Sequence, residues 1–194
     1  MNFIKQAIPD ILVIEPEIYG DDRGYFAEIF RQDKLEIALG YKINLIQDNE
    51  SKSSKGVLRG LHFQIPPHTQ SKLVRVTQGA VLDIAVDIRK GSPSFGRHVA
   101  VELNSDNHKQ MFIPHGFAHG FLVLSETATF AYKVDEYYSA DSERGLIFND
   151  LDININWLLS KNDLVLSEKD LNQPKLEDLE DYFIYTKKTT TYDK

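Results

Sequence analysis

Residues 57–65 read Val57-Leu58-Arg59-Gly60-Leu61-His62-Phe63-Gln64-Ile65, and their alternation decides the fold. On an extended chain Leu61, Phe63 and Ile65 point one way, while Gly60, His62 and Gln64 point the other. Period two is the signature of a strand packed against a core. The same sorting continues outward. Residues 24–31, 72–77, 81–89, 98–103, 120–124 and 127–134 also read as strands. Turn signals at Pro66-Pro67, Gln78-Gly79, Lys90-Gly91-Ser92-Pro93 and Asn104-Ser105-Asp106-Asn107 separate several of them. Many short, evenly spaced strands predict an all-β sandwich or barrel of the jelly-roll kind. The plentiful aromatics, 11 Phe and 9 Tyr, favour the same class.

Two segments break the pattern. Residues 33–39 predict a short helix ended by Gly40. Residues 167–182 predict a longer C-terminal helix, with Leu171, Leu176 and Leu179 at helical spacing. The expectation is a single domain over 1–194, with an N-terminal strand region at 1–20 and a jelly-roll core at 24–149. A frayed tail over 186–194 completes it.

Composition narrows the chemistry. The 194 residues include no cysteine, so disulfides, thiolate nucleophiles and cysteine-ligated zinc are excluded. The formal net charge of −7 and the absence of a basic stripe argue against a nucleic-acid partner. Lys5, Pro9, Asp10 and Glu15 interrupt the N-terminal residues, so no signal-peptide apolar run is read there. No segment approaches the roughly 20 apolar residues of a membrane span. A cytoplasmic protein is expected.

Face assignment gathers titratable groups. Lys72 shares a face with Val74 and Val76, Asp83 with Ala85 and Asp87, and Tyr132 with Ala128 and Phe130. If the sheet rolls up, His62, Lys72, Asp83 and Tyr132 face one interior, and such polar groups imply a ligand cavity. Taken singly, each has a plainer reading. A strand His is usually a satisfied structural residue, Lys72 a solvated edge lysine and Tyr132 a core tyrosine. Asp170 fits a capping box opened by Ser167.

Residues 113–123, IPHGFAHGFLV, resemble the second motif of the metal-binding cupins. Pro114, Gly116 and His119 fit, but Val123 replaces the motif's Asn. The first cupin motif is met at His62 alone: Gln64 takes the place of the second His, and His68 or Thr69 that of the Glu. Two of four ligand positions remain, fewer than a stable first-row metal site needs. No metal or cofactor is expected.

More specific motifs follow in order: DRGYF at 22–26, QDN at 47–49, VLRGLHFQ at 57–64, KLVRV at 72–76 and Gln78-Gly79. PHGFAHGF at 114–121, Tyr137-Tyr138-Ser139, ERG at 143–145 and LSEKD at 166–170 complete the series. From about Arg23 to Asp170 the chain resembles the dTDP-4-dehydrorhamnose 3,5-epimerases, metal-independent enzymes of the cupin-type jelly-roll class. The resemblance implies a dTDP-linked 4-keto-6-deoxyhexose substrate, with the hydrogens at C3 and C5 acidified by the C4 ketone.

By the same resemblance His62 is the base and Tyr132 the proton donor, while Lys72 faces the developing enolate oxygen. Asp170 or Asp83 orients His62. Arg23, Arg59 and His119 match diphosphate and sugar contacts, and Glu28, Gln47 and Asn49 match positions that read or flank the thymidine. Phe26 and Tyr138 suit packing on the base, and Glu143 and Lys169 match further substrate positions. A homodimer with exchanged strands is implied, so that some contacts come from the partner. The same pocket also suits a single-site epimerase or a 3,4-ketoisomerase.

Overall fold

The computed structural model describes residues 1–186. The expected frayed tail therefore lies, beyond Thr186, outside the described residues. The strands are β1 (Asn2–Lys5), β2 (Leu12–Glu15), β3 (Ile18–Asp21), β4 (Gly24–Ala27), β5 (Gln47–Ser54), β6 (Leu58–Gln64), β7 (Lys72–Gln78) and β8 (Ala80–Asp87). They continue with β9 (His98–Asn104), β10 (Gln110–Ile113), β11 (Phe117–Val123), β12 (Thr127–Val134) and β13 (Glu143–Gly145). Helix α1 (Gln32–Leu39) lies between β4 and β5, and α2 (Glu168–Leu171) follows β13.

One antiparallel sheet runs β1-β2-β10-β7-β12-β5, a second runs β13-β6-β11-β8-β9, and β3-β4 form a separate hairpin. The two large sheets enclose a core that draws Val74 and Val76 from β7 and Phe130 from β12. Facing them are Ala85 from β8 and Phe121 and Val123 from β11. This is the jelly roll that the alternation predicts, of the cupin type that the resemblance implies.

The outer faces are covered as well. Leu61, Phe63, Leu82, Ile84, Val86 and Leu122 turn away from the cavity and pack beneath Leu146, Phe148, Trp157 and Leu176 of the C-terminal segment. Trp157 is anchored there by a 2.8 Å bond from Nε1 to the Phe148 carbonyl. Burial on both faces explains why β8 and β11 are nearly all apolar. On the other sheet, Leu35 of α1 packs with Leu12, Ile14, Leu73 and Phe112. An isolated helix shorter than about 12–15 residues is marginal in water, so this packing holds α1 in place. Gly40 ends α1 in the left-handed region at φ 75, its N–H reaching the Glu36 carbonyl.

Three expectations need correction. The predicted strand over 24–31 ends at Ala27, because Arg31 becomes the N-cap of α1 and Glu28 is drawn into ion pairs with Arg31 and Lys34. The predicted helix over 167–182 is one turn, α2, followed by a 3-10 turn at Leu176–Asp178. Pro174 is the reason: it offers no N–H and disfavours helical geometry in the residue before it. Leu171 is consequently exposed while Leu176 is buried, so the leucines share no helical face. Finally, β1 and β2 belong to the six-stranded sheet, so the wall of the sandwich begins well before residue 24.

Candidate active site

A cavity of about 590 Å³ opens between the sheets. His62 on β6 and His119 on β11 are cross-strand partners, and both line it. Directly beside them the two strands cross at Gly60 and Gly120. A Cβ on Gly60 would lie 2.5 Å from the Gly120 Cα and 2.9 Å from the His119 carbonyl oxygen, and Gly60 has φ +132. Only glycine tolerates both the contact and the backbone angle. The two glycines thus let the imidazole-bearing strands close on each other.

His62 Nε2 meets Asp170 Oδ1 at 2.5 Å. The carboxylate fixes the ring, and its position assigns the Nε2 proton to this bond and leaves Nδ1 as the basic edge. Asp170 arrives from the C-terminal segment. That segment is tied to β6 by a parallel bridge, Val57 to Val165, with Leu58 N–H donating to the Val165 carbonyl at 3.0 Å. Ser167 Oγ then accepts the Asp170 N–H at 3.1 Å, the cap that starts α2. Burial pushes the Asp170 carboxyl up. Hydrogen bonds from His62, Ser167 and the Gly60 backbone, with the His62 charge, outweigh it and hold the group below its usual range.

Lys72 and Tyr132 enter from the opposite sheet, on β7 and β12. Burial pushes the Lys72 ammonium down to about 8, against the pull of Asp83 and Glu143. Burial raises the Tyr132 phenol, which therefore stays protonated. Glu143 accepts from Lys169 at 2.5 Å and from the Tyr138 hydroxyl at 2.8 Å. Burial raises Glu143, but these bonds prevail and hold it below its ordinary range.

Asp83 is not beside His62. Fully buried on β8, it bonds His119 Nε2 at 2.9 Å, so of the two carboxylates read as partners of His62 the structure places Asp170 there. Arg59 and Asn49 line the cavity; Gln47 sits beside it, donating to Asn49 Oδ1 at 2.8 Å and accepting the Tyr138 N–H. Arg23, Phe26 and Glu28 do not reach this chain's cavity. Arg23 pairs with Asp21, and Phe26 is 68% exposed on the β3-β4 hairpin.

Sequence reading missed Ser51, Ser53, Phe121, Val165 and Leu166. Ser51, Phe121, Val165 and Leu166 line the cavity, and Ser53 accepts Arg59 Nε at 3.2 Å. The alternation of Asn49, Ser51 and Ser53 along β5 carried a usable signal. Nothing local marked Val165 and Leu166, which only the bridge to Val57 brings in. Gln64, at the second cupin histidine position, is structural: its Nε2 donates to the His68 carbonyl at 2.6 Å and its Oε1 accepts the Ser139 N–H at 2.7 Å.

An oriented imidazole on one wall, facing a phenol and an amine on the other, equips this jelly roll for proton transfer and defines it as a cupin-type acid–base isomerase. Comparison with known proteins agrees. The family profile described as dTDP-4-dehydrorhamnose 3,5-epimerase matches residues 5–178, and the chain belongs to that family. Curated members from Shigella flexneri and Escherichia coli K12 are 54% and 52% identical over 184 and 179 residues. These alignments cover 95% and 92% of this chain and 100% and 96% of the relatives. A crystal structure from Legionella pneumophila, in complex with dTDP-4-keto-L-rhamnose, is 46% identical with a TM-score of 0.92. The match covers 96% of this chain and 99% of that one.

Proposed function

We infer that the chain epimerises dTDP-4-dehydro-6-deoxy-D-glucose at C3 and C5 to give dTDP-4-dehydro-L-rhamnose. The observation that carries this reading is the placement of base and acid on opposing sheets: His62 on one, Tyr132 and Lys72 on the other. Removing a proton beside the C4 ketone gives an enolate. Inversion requires the new proton to come from the other face, which a base and an acid on facing walls provide. His62 Nδ1 takes the proton, with Asp170 orienting the ring and stabilising the imidazolium. Lys72 stabilises the charge developing on the C4 oxygen, and Tyr132 returns a proton from the far side.

Arg59 and His119 hold the diphosphate and sugar; arginine's planar fork suits a diphosphate. Gln47 and Asn49 read the thymidine, Tyr138 packs on the base, and Glu143 and Lys169 close the sugar end. The test is incubation of enzyme and keto-sugar in deuterated water with C3 and C5 followed by NMR. Deuterium should enter both carbons. Entry at C3 alone or C5 alone would make it a single-site epimerase, and entry at neither would refute the assignment. In Tyr132→Phe, exchange at one carbon should outlast net inversion, because abstraction survives while delivery from the far face does not; parallel loss of both would remove Tyr132 from the donor role.

The β3-β4 hairpin completes the proposal. A lone two-stranded hairpin is marginal in water, yet this one presents Tyr19, Tyr25 and Phe26 to solvent at 55%, 64% and 68% exposure. The protein works as a homodimer in which each hairpin crosses to the partner and brings Arg23, Phe26 and Glu28 to its nucleotide end. Sedimentation should give twice the mass of one chain; a monomer with full activity would overturn the exchange. A cytoplasmic location is part of the same proposal.

A further inference from the structure

Asp83 is a fully buried titratable group that the proton transfers leave unused. It lies mid-strand on β8, opposite Phe121 of β11 and Val101 of β9, with no accessible surface. Its Oδ1 accepts from His119 Nε2, but among the described residues its Oδ2 is the one buried side-chain polar atom without a hydrogen-bond partner. A carboxyl shut away from water with an empty oxygen weakens a fold. A position needed only for packing would be better served by a neutral side chain, so the group points to function.

What Asp83 acts on is His119. Packing sets the plane of that ring: it lies 24° from Phe130 at 6.0 Å, and Phe130 stacks on Phe121 at 4.1 Å. The bond to Asp83 sets which edge faces which way. His119 Nδ1 has no protein partner and is not among the buried unpaired atoms, so it opens on the cavity that the residue lines. Burial pushes His119 down, and Asp83 opposes that push. Of the other carboxylates lining the cavity, Asp170 is committed to His62 and Glu143 to Lys169 and Tyr138, while Glu50 is exposed on β5 of the facing sheet.

We propose that Asp83 is a positioning residue: it holds Nε2–H of His119, presents Nδ1 to the bound keto-sugar, and supplies the counter-charge that lets His119 carry a proton as the C4 oxygen becomes negative. This rests on the epimerase reading, and the test separates the two. If wild-type enzyme exchanges no deuterium, the epimerase reading fails. If wild type exchanges and the following results are absent, only the role of Asp83 fails.

Asp83→Asn keeps the size and removes the charge. kcat should fall by at least about tenfold, in the direction seen when a catalytic histidine loses its orienting carboxylate, with KM changing less and Tm held or raised. In a His119→Ala background Asp83→Asn should add no further loss, since both act through one ring. Loss of Tm with unchanged kcat in the folded enzyme, or additive losses in the double variant, overturns the proposal. A measurement on unaltered protein stands apart from folding of the variants: ¹⁵N-histidine NMR should find His119 protonated at Nε2. A bare Nε2 with the proton on Nδ1 alone overturns the proposal as well.

Discussion

Replacing His62 with alanine should abolish deuterium entry at both C3 and C5, with a loss of about 10²–10⁴ in kcat, the usual worth of a positioned general base. His62 combines an orienting carboxylate, at 2.5 Å, with a second ring nitrogen free of protein partners; His119 has a like arrangement with Asp83, but burial pushes it down and makes it the weaker base. His119 gives its Nε2 to Asp83, and Glu143 is held by Lys169 and Tyr138. Lys72 stands on the same sheet as the acid, so a proton taken there would return to the face it left. His62 sits in the sheet at the crossing of Gly60 and Gly120, and removal of its ring leaves that crossing intact. The folded variant is therefore expected to keep its dTDP affinity. Exchange persisting at one carbon at the wild-type rate would mean that a second base serves that carbon.

The second large effect concerns Lys72. Lys72→Met keeps the length and removes the charge, and kcat should fall by about 10²–10³, the loss seen when one oxyanion-stabilising donor is removed. KM should move far less, because the interaction grows only as the enolate forms. The pH profile gives an independent reading. Burial brings the Lys72 ammonium down to about 8. The protonated form is the one that stabilises an oxyanion, so kcat/KM of the wild type should decline as pH rises through about 8. That basic limb should be absent from Lys72→Met. A wild-type profile flat from pH 7 to 9.5, or a variant retaining the limb, would assign the oxyanion role to another group.

Much of this protein was legible residue by residue. The alternation in β6, β7, β8 and β12 placed His62, Lys72, Asp83 and Tyr132 on inward faces, and each points inward. Side-chain direction in a strand follows from the backbone period alone, so no tertiary knowledge was needed. The strand of sequence QDNESKSS escaped notice for the converse reason. β5 contains no apolar residue to mark a face, and its place is set by an unbroken eight-residue ladder to β12. Leucine spacing predicts a longer C-terminal helix than the one that forms, because Pro174 lacks the N–H needed to continue it.

The sequence by itself determined the fold class and the chemical inventory: an imidazole, a phenol, an amine and a carboxylate at His62, Tyr132, Lys72 and Asp83, each on a known face of a strand. Only the tertiary structure decided the pairing. Asp170 is 108 positions from His62 and reaches it because the C-terminal segment bridges back to β6, while Asp83 meets His119 because β8 and β11 are hydrogen-bonded neighbours. Which carboxylate meets which imidazole depends on strand order and on a chain reversal. Period two is a local property of the backbone, whereas contact between distant segments is set by how the whole chain buries its apolar faces.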